Sequence, residues 1–194
     1  STLLLSNLSS FVLDYCARQR ISGVSLNFFV AKQLPILPIQ RYEEHEFIDN
    51  SFFEKRTLEL TYTAWDLEPF AKDCEYDGPP FHWDEERRFL LRAELDAAFF
   101  HLYLGSLSEW QEKGTPELLG IFPNPRDAVD YMMETFPIMK KKDLKAHNEY
   151  RTKRVILEIY DEMQEAIEKR QSYQTRLDPP PGDPSLAHPP RKEN

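Results

Sequence analysis

Seven cations fall between positions 140 and 154: Lys140, Lys141, Lys142, Lys145, Arg151, Lys153 and Arg154. Within that run only Asp143 and Glu149 oppose them. On a short loop and the first turns of a helix, such a run has the chemistry to track phosphates. The alternative, a solvated face that balances nearby acid, stays open. Arg18, Arg20 and Lys32 form a second basic set that flanks a break at Ser22-Gly23. A third set, Arg87, Arg88 and Arg92, reads as intrahelical pairing with Asp84, Glu85 and Glu94.

Other chemistries find no constellation. The histidines are His45, His82, His101, His147 and His188, with no helical i, i+4 pair and no HExxH. His101 lies among Phe100, Leu102 and Tyr103 and reads as a satisfied core histidine. No GxSxG occurs, and Cys16 sits in an apolar helix as a small hydrophobe. Paired acids such as Glu43-Glu44 and Glu85-Glu86 read as solvated faces. Adenine-methylating enzymes hold the flipped base with Asp or Asn, then Pro-Pro, then an aromatic. Gly78-Pro79-Pro80-Phe81 lacks the acceptor side chain, and Asp178-Pro179-Pro180-Pro181 lacks the aromatic. Both read as structural. No catalytic, metal or cofactor-binding residue is therefore assigned.

The elements that must position the basic groups are helical. The 194 residues are 41% hydrophobic and 29% charged, enough apolar material for a core. Only 6 are glycine, which argues against Gly-rich phosphate loops and turn-dense β architectures. No apolar run is long enough to span a membrane. The start has no basic leader, so no signal peptide is expected, and Cys16 and Cys74 form no CxxC, which fits the cytoplasm. The first residue is not methionine and lies in an apolar helical pattern, so a piece of a longer protein is expected. The net charge of −9 opposes a free-standing nucleic-acid binder, although a local basic face is compatible with it.

The expected fold is mainly α: about five helices in a bundle-like arrangement, with little or no sheet. Residues 3–19 put Leu4, Leu8, Phe11, Val12 and Tyr15 on one buried face. Residues 25–34 fit either a short helix capped by Ser25 or a buried strand, and Leu34-Pro35-Ile36-Leu37-Pro38 is extended. A helix over 46–66 has Phe53, Leu60, Ala64 and Leu67 in phase. Asp84 caps a helix over 84–104, with Arg87 and Arg88 outward and Leu91, Leu95, Ala98, Phe99 and Leu102 inward; Gly105 stops it. Residues 106–124 read as loop. A short helix over 127–136 ends at Pro137, and Asn148 caps a long one over 148–170. The Pro-rich stretch 171–194 reads as an extended tail, ordered only where it lies on a surface.

Several word-length blocks carry a resemblance. They are Leu8-Ser9-Ser10-Phe11-Val12-Leu13-Asp14-Tyr15, Lys32-Gln33-Leu34-Pro35-Ile36-Leu37-Pro38 and Leu58-Glu59-Leu60-Thr61-Tyr62-Thr63-Ala64-Trp65-Asp66-Leu67. They continue with Arg92-Ala93-Glu94-Leu95-Asp96-Ala97-Ala98-Phe99-Phe100-His101-Leu102-Tyr103 and Tyr150-Arg151-Thr152-Lys153-Arg154. Together they resemble the C-terminal region of bacterial adenine-specific DNA methyltransferases. These belong to type II (IIG-like) restriction-modification systems and to phage-defence systems such as BREX and DISARM. The resemblance covers most of residues 1–165.

The resemblance implies that 1–38 closes a target-recognition region, 39–170 is a helical C-terminal domain and 171–194 is an added tail. In that family the catalytic half precedes this region and holds the S-adenosylmethionine site. The chain would thus be a non-catalytic fragment, without cofactor, that helps position double-stranded DNA and binds it weakly alone. Expected partners are DNA, the parent's catalytic half and defence-system subunits, with no membrane. The parent would be a site-specific methyltransferase, with or without endonuclease activity. The DNA-contacting residues expected from their chemistry are Arg18, Arg20, Lys32, Lys140, Lys141, Lys142, Lys145, Arg151, Lys153 and Arg154. The rival reading is a helical scaffold that docks the catalytic half or a partner subunit; it predicts an apolar patch near Trp65, Phe70, Phe81 or Trp83. An independent enzyme would require a deep pocket with convergent polar groups.

Overall fold

The computed structural model describes residues 2–21, 27–43 and 48–191. The chain is mainly helical, and its one β feature among those residues is an isolated antiparallel bridge between Phe81 and Ala187. The Ser22-Gly23 break, the Ser25 cap and His45 lie outside the described residues. No helix among the described residues is long and apolar enough to cross a membrane.

The centre is α7, Glu85–Leu104. Asp84 caps it by accepting from the Arg87 N–H, and Gly105 ends it at φ 73°. The residues expected inward, from Leu91 to Leu102, are buried. Around α7 pack α12 (Arg151–Glu168), α5 (Asn50–Thr61) and α2 (Phe11–Arg20). Ile156, Ile159, Tyr160 and Met163 of α12 face α7 at helical spacing and are buried. His101 is a core histidine: its Nε2 lies 3.0 Å from the Tyr160 carbonyl oxygen, and its ring stacks on that of Tyr160.

Several boundaries differ from expectation, each for a local reason. The first helix is two, α1 (Thr2–Leu8) and α2. Ser10 caps α2 by accepting from the Leu13 N–H, so the chain turns at Ser9-Ser10 and the helical phase restarts. Leu4 and Leu8 are therefore exposed, and α1 buries Ser6 and Asn7 instead. Among the described residues this stretch holds a short helix: α3, Phe28–Ala31, is capped by Asn27. The extended Leu34–Pro38 segment is held by Asn7, whose Oδ1 accepts from the Leu37 N–H. It leads into α4, Ile39–Glu43. Helix α5 ends at Thr61, which leaves Ala64 and Leu67 exposed beyond it, before α6 (Glu68–Asp73).

The expected loop at 106–124 contains two helices. Ser106 and Glu109 form a reciprocal capping box at the start of α8, Leu107–Lys113. Thr115 caps α9, Pro116–Ile121, with Pro116 in its first turn. Helix α10, Pro125–Glu134, is capped by Asn124. Pro137 does not only end a helix; it opens α11, Pro137–His147. Asn148 is not an N-cap. It terminates α11 in the left-handed conformation, φ 59°, and α12 starts at Arg151.

Residues 171–191 lie along α5 and α7. Thr175 Oγ1 and the Arg176 N–H donate to Glu94, and the Gly182 N–H donates to Glu59. Farther on, the His82 N–H donates to the Leu186 carbonyl and the His188 N–H to that of Pro80. These bonds close a small second core of Leu58, Tyr62, Ala71 and Phe81. The expectation for Arg87 and Arg88 is corrected here. Arg87 pairs with Glu59 of α5 and donates to the Pro179 carbonyl, because an inter-helix carboxylate and the tail both reach it. Arg88 stacks on Trp83 at 3.6 Å and donates to the Leu60 carbonyl. Neither makes the expected pair within α7, and Glu94 is taken by Arg56.

Candidate functional site

Two features compete for function: the surface of α11 and a cavity beside it. The basic run covers α11 from Lys140 onward and the first turn of α12, and acids distant in sequence neutralise part of it. Lys140 pairs with Glu134 at 2.6 Å, and Lys153 reaches Asp130 at 2.9 Å and Glu134 at 2.6 Å. The hydrogen bond from Lys140, then that from Lys153, holds the Glu134 carboxyl below its ordinary range. Arg151 pairs with Glu86 and lies over the Phe89 ring. Arg154 is held by Glu149 at 2.9 Å and Glu158 at 2.7 Å.

Lys141, Lys142 and Lys145 are exposed and make no ion pair among the described residues. With Ile138, 70% exposed, they occupy positions i, i+3, i+4 and i+7, a single stripe on α11. Arg18 comes near this helix. It pairs with Asp14 at 2.8 Å, and its guanidinium sits 5.0 Å from the centre of the Phe136 ring, just before α11. Arg20 is exposed, and Lys32 lies over the Phe28 ring at 4.3 Å. The structure thus brings Arg18 to the α11 region, whereas Arg151, Lys153 and Arg154 face their own acids.

The apolar patch expected at Trp65, Phe70, Phe81 and Trp83 is only partly formed: Trp83 is 59% exposed, and the other three are half-buried or buried. Phe81 is fully buried, Phe70 packs on the second core, Arg191 lies over Trp65 and Arg88 over Trp83. Exposed apolar side chains occur elsewhere, above all Phe28 and Phe29 at 75% and 74%.

The cavity has a volume of about 770 Å³ and lies between α1, α2, α5, α7, α11 and α12. Leu60, Phe89, Phe99, Met139 and Ile156 give it apolar walls. Three cations, Arg88, Arg92 and Lys142, line it together with three acids, Asp14, Asp96 and Asp143. Asp14 is committed to Arg18. Asp143 accepts from the Thr152 N–H at 2.6 Å, in the first turn of α12. Asp96 accepts from the Phe11 N–H at 2.8 Å, in the first turn of α2. Burial pushes the Asp96 carboxyl up to about 7, against the lowering effect of that hydrogen bond and of Arg92. Burial, then the neighbouring charge of Arg92, lowers the Arg88 guanidinium from its ordinary value.

Sequence reasoning missed Arg92, Thr57 and Asp96 as cavity residues. The available signal was weak: Thr57 and Asp96 are polar positions inside the apolar phase of two helices. Among the described residues no three His, Cys, Asp or Glu side chains gather where they could hold a metal ion. No family model matches the chain, and neither a curated protein nor a solved structure matches it.

Proposed function

We propose that this chain is a non-catalytic helical portion of an adenine-specific DNA methyltransferase of restriction-modification or phage-defence type, and that it helps position the DNA target. The parent's catalytic half would carry S-adenosylmethionine. The observation that carries the reading is the stripe of Lys141, Lys142 and Lys145, exposed and without carboxylate partners among the described residues. Charges already held by acids gain little on meeting phosphate, whereas free lysines release condensed counterions from DNA. The block resemblance over most of residues 1–165 supplies the enzyme class.

Duplex binding measured by fluorescence anisotropy across a salt series tests this. Salt-sensitive binding that weakens in Lys141→Ala/Lys142→Ala/Lys145→Ala is the expected result. Absence of binding at low salt, or a triple variant that binds as well as the parent sequence, would overturn it.

One observation favours the docking alternative. Phe28 and Phe29 present their rings to solvent beside Lys32 on a short helix. Adjacent exposed aromatics of this kind suit a protein interface. The partner in that reading is the catalytic half of the parent or another defence-system subunit, and Phe28→Ser/Phe29→Ser would lose the association in a pull-down with that half.

A further inference from the structure

The cavity combines size, apolar walls and cations that make no ion pair among the described residues. Its 770 Å³ falls within the range of about 300–1,000 Å³ typical of small-molecule sites. Each of its acids accepts a bond within the fold: Asp14 from Arg18, Asp143 from the Thr152 N–H and Asp96 from the Phe11 N–H. Among the described residues Arg92 and Lys142 have no hydrogen-bond or ion-pair partner, and Arg88 donates to the Leu60 carbonyl but makes no ion pair.

Two buried polar atoms lie behind the lining. The Nε–H of Arg88 has no acceptor among the described residues, although the guanidinium is held by the Leu60 carbonyl and the Trp83 ring. Thr57, 3% exposed and also lining the cavity, has a hydroxyl with no hydrogen-bond partner. Leaving such groups unmade costs about 1–3 kcal/mol each, a local cost of the packing behind the lining rather than a contact that a bound molecule reaches. The walls, in contrast, offer hydrocarbon and aromatic surface and call for an apolar body.

We infer that this cavity is a binding site for an amphipathic anion, a small molecule with a hydrocarbon body and one carboxylate head. The body lies against Leu60, Phe99, Met139 and Ile156, and the head is met by Arg88, Arg92 and Lys142. This inference needs neither duplex nor a catalytic partner; it shares Lys142 with the DNA reading, and Arg92 and Ala146 belong to the cavity alone.

Isothermal titration of the full chain with dodecanoate, kept below its micelle-forming concentration, tests it, with decylammonium and adenosine monophosphate as comparison ligands. One dodecanoate per chain is expected, with much weaker binding of the other two. Arg92→Gln/Lys142→Gln alters two exposed positions and should weaken dodecanoate by about tenfold per lost charge. Ala146→Trp enters the cavity from an exposed position on α11 and should abolish binding, with circular dichroism verifying that the variant is folded. No heat with dodecanoate, equal binding of decylammonium, preference for adenosine monophosphate, or unchanged binding in the folded variants would each overturn the assignment.

Discussion

Arg56 of α5 and Glu94 of α7 form a buried ion pair, Nη2 to Oε2 at 2.6 Å, with side chains 6% and 0% exposed. Burial lowers the Arg56 guanidinium from its ordinary value, and the charge of Glu94 acts against that shift. Glu94 is further satisfied by the tail: Tyr173 and Thr175 hydroxyls and the Arg176 N–H all donate to it. One carboxylate therefore joins two core helices and the residues that cross them.

Removing one partner of such a pair leaves an uncompensated buried charge. Arg56→Met should destabilise the fold by about 3–5 kcal/mol, and Arg56→Met/Glu94→Leu by clearly less, since the double change removes both charges. Urea denaturation of the two variants checks this. A double variant as unstable as the single one would contradict the argument.

The contribution of the tail can be isolated at one atom. Thr175 Oγ1 donates to Glu94 Oε1 at 2.8 Å. Thr175→Val keeps the shape and loses the donor to a charged group, a change of about 1.5–3 kcal/mol. The urea midpoint should fall without a change in slope, because the surface exposed on unfolding is unaltered.

Asp96 gives stability a pH dependence. Its folded carboxyl is pushed up to about 7 by burial, while an unfolded aspartate titrates near about 4. Between those values the folded chain holds a proton that the unfolded chain has lost. Stability from this group is complete below about pH 4, declines as pH rises and levels off above about pH 7. The upper bound on that decline is on the order of 4 kcal/mol. Asp96→Asn should flatten the curve over this window in chemical denaturation from pH 4 to 8. A slope that survives the substitution would assign the effect to another group.

Local signals were legible in the sequence where one residue suffices. Asp84, Gly105 and the apolar spacing of α7 and α12 follow from side chains within a few positions of each other. Residues 106–124 were not legible, because Gly114 and Pro116 read as breakers when each only marks a boundary between two short capped helices. Asn148 shows the same ambiguity, since asparagine suits either end of a helix. The basic run was visible as charge, but its neutralisation was not. Glu86 lies 65 positions from Arg151, and only packing brings them together. The cavity depends on six helices and has no linear signature.

The α7–α8 corner tests one of those boundaries. Ser106 accepts from the Glu109 N–H, while Glu109 accepts from the Ser106 N–H at 3.0 Å. Ser106→Ala should cost about 1 kcal/mol, seen as a lower thermal midpoint. Gly105→Ala should cost more: it sits at φ 73°, and its added Cβ would lie 2.6 Å from Glu109 Oε2. If the alanine at 105 proved neutral, the left-handed stop would not be a requirement of the corner.

Paired and unpaired cations make opposite predictions for DNA. If Lys141, Lys142 and Lys145 contact phosphates, each neutralises one charge, and the slope of log affinity against log salt changes by about 0.9 per lysine lost. Their triple substitution to glutamine should therefore shallow the slope by about 2.7 units. Arg154→Gln is the matched control. Arg154 is exposed like the lysines but bound to both Glu149 and Glu158, so its loss should leave the slope nearly unchanged. Anisotropy titrations between low and moderate salt separate the cases. Equal slopes for all three proteins would place the phosphate contacts elsewhere, and a larger effect from Arg154 would mean that its carboxylates yield to DNA.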